Sequence, residues 1–564
     1  MREIGKWQAI VALILLAFLA KLGARQPQDW FGWYHDDTIY FSAARSLAEG
    51  RGYRLPSVPG TPPETKYPVL YPWLLSWIWR WRPFFPANVS YAIGLTALFA
   101  CWFLIASFQL LRSLGLGNAS AACIVALCAF QPSFLFLSGA VLSDIPFMAL
   151  ATTAAVMADS AMRPGSRVAR AAAAAAVTGL AGGMRVFGLA LAAGIVVFAF
   201  CRRAFRQGAV FCAIAAPMLV LSLSWPHAKQ SLEAAAAGGA GWQQTWLFYT
   251  SYGKFWKLCV PTAGVLFAML GENVRAFLQA PASLCLFPPL GEGSYAGTLL
   301  CVTLSLGILA GAVRQARRSE WKPIHFIFVF YSCLTLVWNY TLMDRFLLLF
   351  APLFYSGLWV ETEHFISMLR DNFRPGRPRS EKALAAALGL ALAAVGARAA
   401  LEYLHHFRPD SSELKAKQAV LAREKSETYE WIRKNTGPAE RFVAYQDVSL
   451  YLNTNRQALR PIIFSTEAFY KKDDQVLRRD LAHITDVARH IGARYWLASD
   501  DDFQLETGLP LIEQRMAEIK AVLPVLFHSR TNKVQVLDLS CLLHSELEAC
   551  RVIVPVLCPT TTGS

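Results

Sequence analysis

The chain has 564 residues, 55% of them hydrophobic and only 16% charged, and 54 Lys and Arg against 39 Asp and Glu give a net charge of +15. An ordinary soluble domain is about 25% charged, so this composition excludes a purely soluble protein, a disordered chain and a small disulfide scaffold. Residues 405–564 hold 21 basic and 21 acidic side chains, which leaves the whole excess in residues 1–404; positive charge there reports membrane orientation, and nucleic acid is not needed to explain it.

A membrane span needs about 20 mostly apolar residues. Eleven segments qualify in chain order: 7–24, 89–111, 119–137, 145–162, 171–183, 186–201, 209–225, 295–313, 324–340, 346–360 and 383–404. The first also fits a signal peptide, because Arg2 and Lys6 precede a short apolar run. Every second connection is short and Arg-rich: Arg163, Arg167 and Arg170; Arg202, Arg203 and Arg206; Arg314, Arg317, Arg318 and Lys322; Arg370, Arg374, Arg377, Arg379 and Lys382. Cytoplasmic loops have this character, so the N-terminus is expected inside and the C-terminal segment outside. Two exterior loops are long, 25–88 and 227–294. Both are rich in Trp, Tyr and Phe, as segments lying on a membrane surface are.

From residue 405 the composition becomes that of a soluble domain. Residues 412–435 predict a helix ended by Thr436-Gly437-Pro438, and 476–491 predict another. Short strands are predicted at 441–445, 458–463, 494–498, 522–527 and 533–537, for a small extracytoplasmic α/β domain over 405–564. Seven of the twelve cysteines lie in or beside spans as small apolar side chains. Of the five exterior ones, Cys541 and Cys550 are candidates for a disulfide, and an odd number leaves at least one unpaired. No CxxC pair, no zinc-spaced His/Cys cluster and no glycine-rich phosphate loop is present.

The stretch richest in chemistry is His35-Asp36-Asp37-Thr38-Ile39-Tyr40, just after the first span and running into an Ala-rich helix stopped by Gly50 and Gly52. Asp36 shares a helical face with Tyr40, Ala43, Ala44 and Leu47, whereas Asp37 points about 100° away. Acids at a helix start cap free N–H groups and suit the helix dipole; the functional reading makes one of them a general base at the membrane boundary. Further along, Lys66-Tyr67-Pro68-Val69-Leu70-Tyr71-Pro72 predicts an extended entry to a Trp-rich interfacial helix. Lys66 at that entry is either a headgroup anchor or a ligand for a lipid phosphate. Asp144 opens the fourth span before Pro146, Arg185 interrupts an apolar stretch, and Arg345 opens the tenth span beside Asp344. Ionisable groups at membrane depth are costly and point to function. Asp36, Asp37, Lys66, Asp144, Arg185 and Arg345 are all expected at the outer leaflet.

This order of motifs resembles the GT-C superfamily of integral-membrane glycosyltransferases, in the bacterial branch with the aminoarabinose transferases of lipid A and the protein O-mannosyltransferases. The resemblance rests on Asp36-Asp37 with Tyr40 and the helix through Gly52, on Tyr67-Pro68-Val69-Leu70-Tyr71-Pro72, and on Ser143-Asp144. It continues through Arg185-Val186-Phe187-Gly188 and Arg345-Phe346-Leu347-Leu348-Leu349, and so covers nearly the whole chain. Val69 replaces a proline of the family pattern, and the Arg185 motif lacks one.

The resemblance implies an α-helical polytopic membrane core over 1–404, of about eleven spans, with the tail domain on the outside of a bacterial inner membrane. It implies transfer of a sugar from a polyprenyl-phosphate donor to a hydroxyl of a lipid, glycan or protein acceptor, with inversion at the anomeric carbon. Asp36 is then the base, with Asp37 and Asp144 as supporting acids. Lys66, Arg185 and Arg345 form the phosphate clamp, and Tyr40 and Tyr67 contact substrate. A cofactor is not required, and a divalent metal is left open. The alternative class is a lipid or solute transporter with an exterior domain; against it, no repeat is evident and the charges gather at one leaflet rather than at the midplane.

Overall fold

Each of the eleven expected spans overlaps a helix in the computed structural model, which describes residues 2–25, 31–163, 165–224, 239–287, 294–340, 343–373, 378–407, 412–504, 506 and 508–543. Six described helices are long and apolar enough to cross a membrane: Gly5–Ala24, Val89–Ser113, Phe205–Ser222, Tyr295–Ser319, Met343–Asn372 and Ser380–His405. The shorter apolar helices Val168–Met184, Gly188–Cys201 and Pro323–Leu336 add to them. The chain is a multi-pass α-helical membrane protein.

One expected span is not straight. Residues 119–137 form Asn118–Ala129 and Pro132–Ser138, bent by 64°. Pro132 starts the second piece and disfavours helix at Gln131, whose side chain instead accepts from the Phe134 N–H at 2.7 Å.

The chain divides into two compact bodies. The first comprises 1–27, 93–223 and 270–410. Its helices approach closely through glycine. A Cβ on Gly311 would collide with the Gly357 carbonyl, and one on Gly194 would stand 2.5 Å from the Ile327 nitrogen. Lipid is as apolar as Leu, so helices associate through such close backbone contact and through polar pairs rather than by hydrophobic exclusion. The pairs here include buried Lys322 with Asp159 at 3.2 Å and Arg314 with Glu361 at 3.2 Å.

The second body comprises 28–92, 224–269 and 411–564, so most of both long loops folds with the tail. Its sheet has the order β2-β1-β3-β5-β4, with β1 (Phe442–Ala444), β2 (Ala458–Leu459), β3 (Tyr495–Ser499), β4 (Val525–His528) and β5 (Val534–Asp538). β1 runs parallel to β2 and β3, and β5 runs antiparallel to β3 and β4. All five residues of β3 are buried, as its continuous run Tyr-Trp-Leu-Ala-Ser requires of a central strand. The expected strand at 458–463 stops early because Pro461 lacks the N–H to extend it.

The helix Ser412–Asn435 appears as expected and packs Tyr429 and Ile432 into the core with Phe442, Leu450 and Val536. The helix expected over 476–491 is two, Asp474–Ala482 and Asp486–Ile491. At the break the Asp486 carboxylate takes a 3.3 Å bond from the Gly241 N–H and lies 3.0 Å from His483 Nδ1, a local competitor of helical bonding. Loop and tail join elsewhere through main-chain bonds, such as Ala458 N–H to the Ser57 carbonyl at 2.9 Å. Cys541 is disulfide-bonded; Cys550, its expected partner, lies outside the described residues.

Candidate active site

The ionisable residues singled out in the sequence gather in two clusters, one in each body. In the second body the helix His35–Ala48 starts after an extended Tyr34, and its first turn carries Asp36 and Asp37 where the dipole favours negative charge. Their roles differ. Asp37 is 1% exposed, and its carboxylate accepts the Gly32 N–H at 2.9 Å, so it shapes the turn that starts the helix. Asp36 keeps a quarter of its side chain exposed, accepts a short hydrogen bond from the Tyr67 hydroxyl and has Lys66 Nζ at 4.0 Å.

Lys66 also stands 3.7 Å above the Phe248 ring centre, an aromatic face that favours a cation. Burial and the Asp36 carboxylate hold the Tyr67 phenol far above its ordinary range, so it stays a donor. Tyr40, expected to contact substrate, is 2% exposed. Its ring packs 4.6 Å from Tyr67 and 5.3 Å from Tyr71.

Two supporting features escaped the sequence reading. Glu64 is 1% exposed and accepts the backbone N–H of Lys66 at 2.6 Å and of Tyr67 at 3.2 Å, which fixes the segment that faces Asp36. Burial pushes its carboxyl up to about 7. The folded state therefore binds more protons than the unfolded one between about pH 4.5 and 7, and stability falls as pH rises through that window. Glu64→Gln, which keeps an acceptor oxygen, should remove this contribution, on the order of 3 kcal/mol. Unfolding of both proteins across pH 4–8 measures it; parallel pH profiles would exclude the effect.

The second missed feature is a buried triad. His35 Nε2 lies 2.8 Å from Asp447 Oδ1, and the Tyr249 hydroxyl donates to Asp447 Oδ2 at 2.7 Å while lying 3.2 Å from His35 Nε2. Burial and the nearby Arg460 guanidinium lower the His35 pKa to about 4, so His35 is neutral at pH 7 and donates to Asp447. The residue next to Asp36 is thus tied to the tail domain. Asp447→Ala leaves two buried donors without their shared acceptor, at about 1–3 kcal/mol each. Thermal unfolding should show a drop of several degrees, and an unchanged midpoint would remove the triad from the account. No spacing rule links positions 35, 249 and 447, so the sequence carried no signal for it.

In the first body Asp144 starts the helix Asp144–Ala161, Arg185 caps the end of Val168–Met184, and Arg345 lies in Met343–Leu347. Arg345 grips Asp144 with two bonds, Nε to Oδ1 at 2.9 Å and Nη2 to Oδ2 at 2.7 Å, and Arg185 Nη1 reaches Oδ1 at 2.6 Å. All three side chains are at most 12% exposed. Both oxygens of Asp144, expected as a supporting acid, are thus engaged by guanidinium groups. Arg345 pairs with this distant carboxylate rather than with adjacent Asp344, because neighbouring helical residues do not face each other. The three groups together hold two positive charges and one negative. Among the described residues no group of three or more His, Cys, Asp or Glu side chains could hold a metal ion.

No family model matches the sequence, and no curated protein matches it. Solved structures do. ArnT from Cupriavidus metallidurans bound to undecaprenyl phosphate aligns over 95% of this chain and 98% of its own, at 13% identity and a TM-score of 0.50. The Archaeoglobus fulgidus oligosaccharyltransferase in complex with Zn and sulfate aligns over 93% of this chain and 72% of its own, at 14% identity and a TM-score of 0.50. The chain shares the fold of these two proteins. At this low identity the side chains must carry any functional argument, since one architecture hosts many chemistries.

Proposed function

We propose that the protein is a membrane glycosyltransferase that moves a sugar from a polyprenyl-phosphate donor to an acceptor hydroxyl, with inversion at the anomeric carbon. The observation that carries this reading is the buried Arg185–Asp144–Arg345 cluster, on a fold shared with a protein solved with undecaprenyl phosphate bound. A phosphate monoester leaving with its lipid gains negative charge, and two guanidinium groups fixed in advance by one carboxylate stabilise it without reorganising.

Asp36 is the base in this reading. It takes the proton of the acceptor hydroxyl as oxygen attacks the anomeric carbon and the bond to the lipid phosphate breaks. The Tyr67 hydroxyl orients its carboxylate, and Lys66 adds a positive charge for the phosphate. The carboxylate also stabilises an oxocarbenium-like transition state. The site faces the outside of a bacterial inner membrane, with the N-terminus in the cytoplasm and the tail domain outside. The test is incubation of the purified protein in nanodiscs with defined polyprenyl-phosphate sugars and membrane extract, followed by mass analysis. A product gaining one sugar residue supports the reading; donor left intact with every sugar and acceptor fraction overturns it.

A further inference from the structure

A cleft of about 600 Å³ opens in the second body, with none of Asp36, Lys66 and Tyr67 in its lining; ligand sites typically measure roughly 300–1,000 Å³. One wall is aromatic, formed by Phe31, Trp33, Phe85 and Tyr429. Its platform is rigid: Phe31 packs 5.9 Å from Phe85 and 5.5 Å from Phe41, which stacks on Trp79 at 4.9 Å. Trp33 remains 45% exposed.

The facing wall is a polar trio. Lys425 Nζ lies 2.6 Å from Asp501 Oδ2 and 3.0 Å from Gln446 Oε1, and Gln446 Nε2 donates to Asp501 at 3.2 Å. An ammonium has three N–H donors and an amide two; among the described residues Lys425 uses two and Gln446 one. One donor on each is left for a ligand, while the Lys and Asp charges cancel and favour no ion.

We propose that this cleft binds a neutral saccharide, as the acceptor-recognition site of the transferase proposed above, on which the inference rests. A pyranose ring has an apolar C–H face that suits an aromatic platform and rim hydroxyls that suit a fixed set of mixed donors and acceptors. An alkyl chain would leave the trio unpaired, and a nucleotide would bring charge that nothing here neutralises. The location is consistent with this role. Trp33 is three residues from Asp36, so at most about 11 Å of chain separates their Cα atoms. Val89, at the top of the apolar helix Val89–Ser113, also lines the cleft, which puts it within reach of a saccharide in solution or on a lipid. Gly32 makes the fit possible: its φ is +92°, and a Cβ there would stand 3.0 Å from Ser449 Oγ.

The experiment uses the full chain in nanodiscs and saturation-transfer NMR, without any donor. One arm offers N-acetylglucosamine, methyl α-mannoside and maltotriose; the other places a monoglycosyl diacylglycerol in the nanodisc. Binding in either arm that Trp33→Ala and Gln446→Ala each weaken about tenfold or more supports the proposal and identifies the source. No saccharide signal in either arm, a signal indifferent to both cleft variants, or contact only with the acyl chains of the glycolipid overturns it. Transfer that fails in the activity assay while this binding persists would sink the transferase reading and leave the saccharide site standing.

Discussion

Asp36→Asn should abolish sugar transfer while leaving the protein folded. A positioned base is worth typically 10²–10⁴-fold, and an amide cannot accept the hydroxyl proton. The substitution is nearly isosteric at a side chain that is a quarter exposed, and its amide oxygen can still accept from Tyr67, so the cost to folding should be small. Tyr67→Phe is the informative companion: it removes the bond that orients Asp36 and should lower the rate by about 10- to 150-fold, since a hydrogen bond to a charged group is worth roughly 1.5–3 kcal/mol. Initial rates of both variants with a polyprenyl-phosphate sugar, alongside their unfolding curves, measure this. Full activity in Asp36→Asn would remove Asp36 from the mechanism.

Arg345→Ala should impair use of the lipid-phosphate donor far more than recognition of the acceptor. Truncating one partner of a buried, hydrogen-bonded charge pair costs about 2–5 kcal/mol, so kcat/KM for the donor should fall by roughly 30- to 5,000-fold. Some of that loss would be structural, because Asp144 would lose the two bonds that Arg345 gives it. Arg345→Lys separates the two causes. It retains the charge but cannot reproduce the two-pronged grip of Nε and Nη2 on Asp144. An intermediate donor KM in Arg345→Lys, with the acceptor KM unchanged, fits a phosphate-binding pair. Equal losses for donor and acceptor would reduce the cluster to a structural ion pair.

The two clusters show how much of such a site a sequence discloses. Asp36, Lys66, Asp144, Arg185 and Arg345 stand out because each is an ionisable group in a setting where apolar surroundings make it costly, and that cost is visible residue by residue. Which of them meet is a different matter. Lys66 with Asp36, and Arg345 with Asp144 across 201 positions, are pairings made by tertiary packing. Glu64 was missed because its loop gives no periodic signal and its bonds run to backbone N–H groups. Asp447 was missed because a single acid at the start of an eight-residue helix, Asp447–Thr454, looks like any capping residue until His35 and Tyr249 are placed against it.

Hydrophobic length and the alternation of basic loops determined, without coordinates, where the chain enters the membrane and where the soluble tail begins, since both follow from the local cost of transferring each segment into hydrocarbon. The strands of the tail were legible for a similar local reason, their short β-branched and aromatic runs. Only the tertiary structure decided that residues 28–92 and 224–269 fold with the tail, that Asp37 bonds the Gly32 backbone while Asp36 keeps an exposed carboxylate, and that Asp144 serves two arginines. Those outcomes depend on which buried polar groups find partners, and a buried donor or acceptor is satisfied by whatever the fold brings within about 3 Å, however distant in the chain.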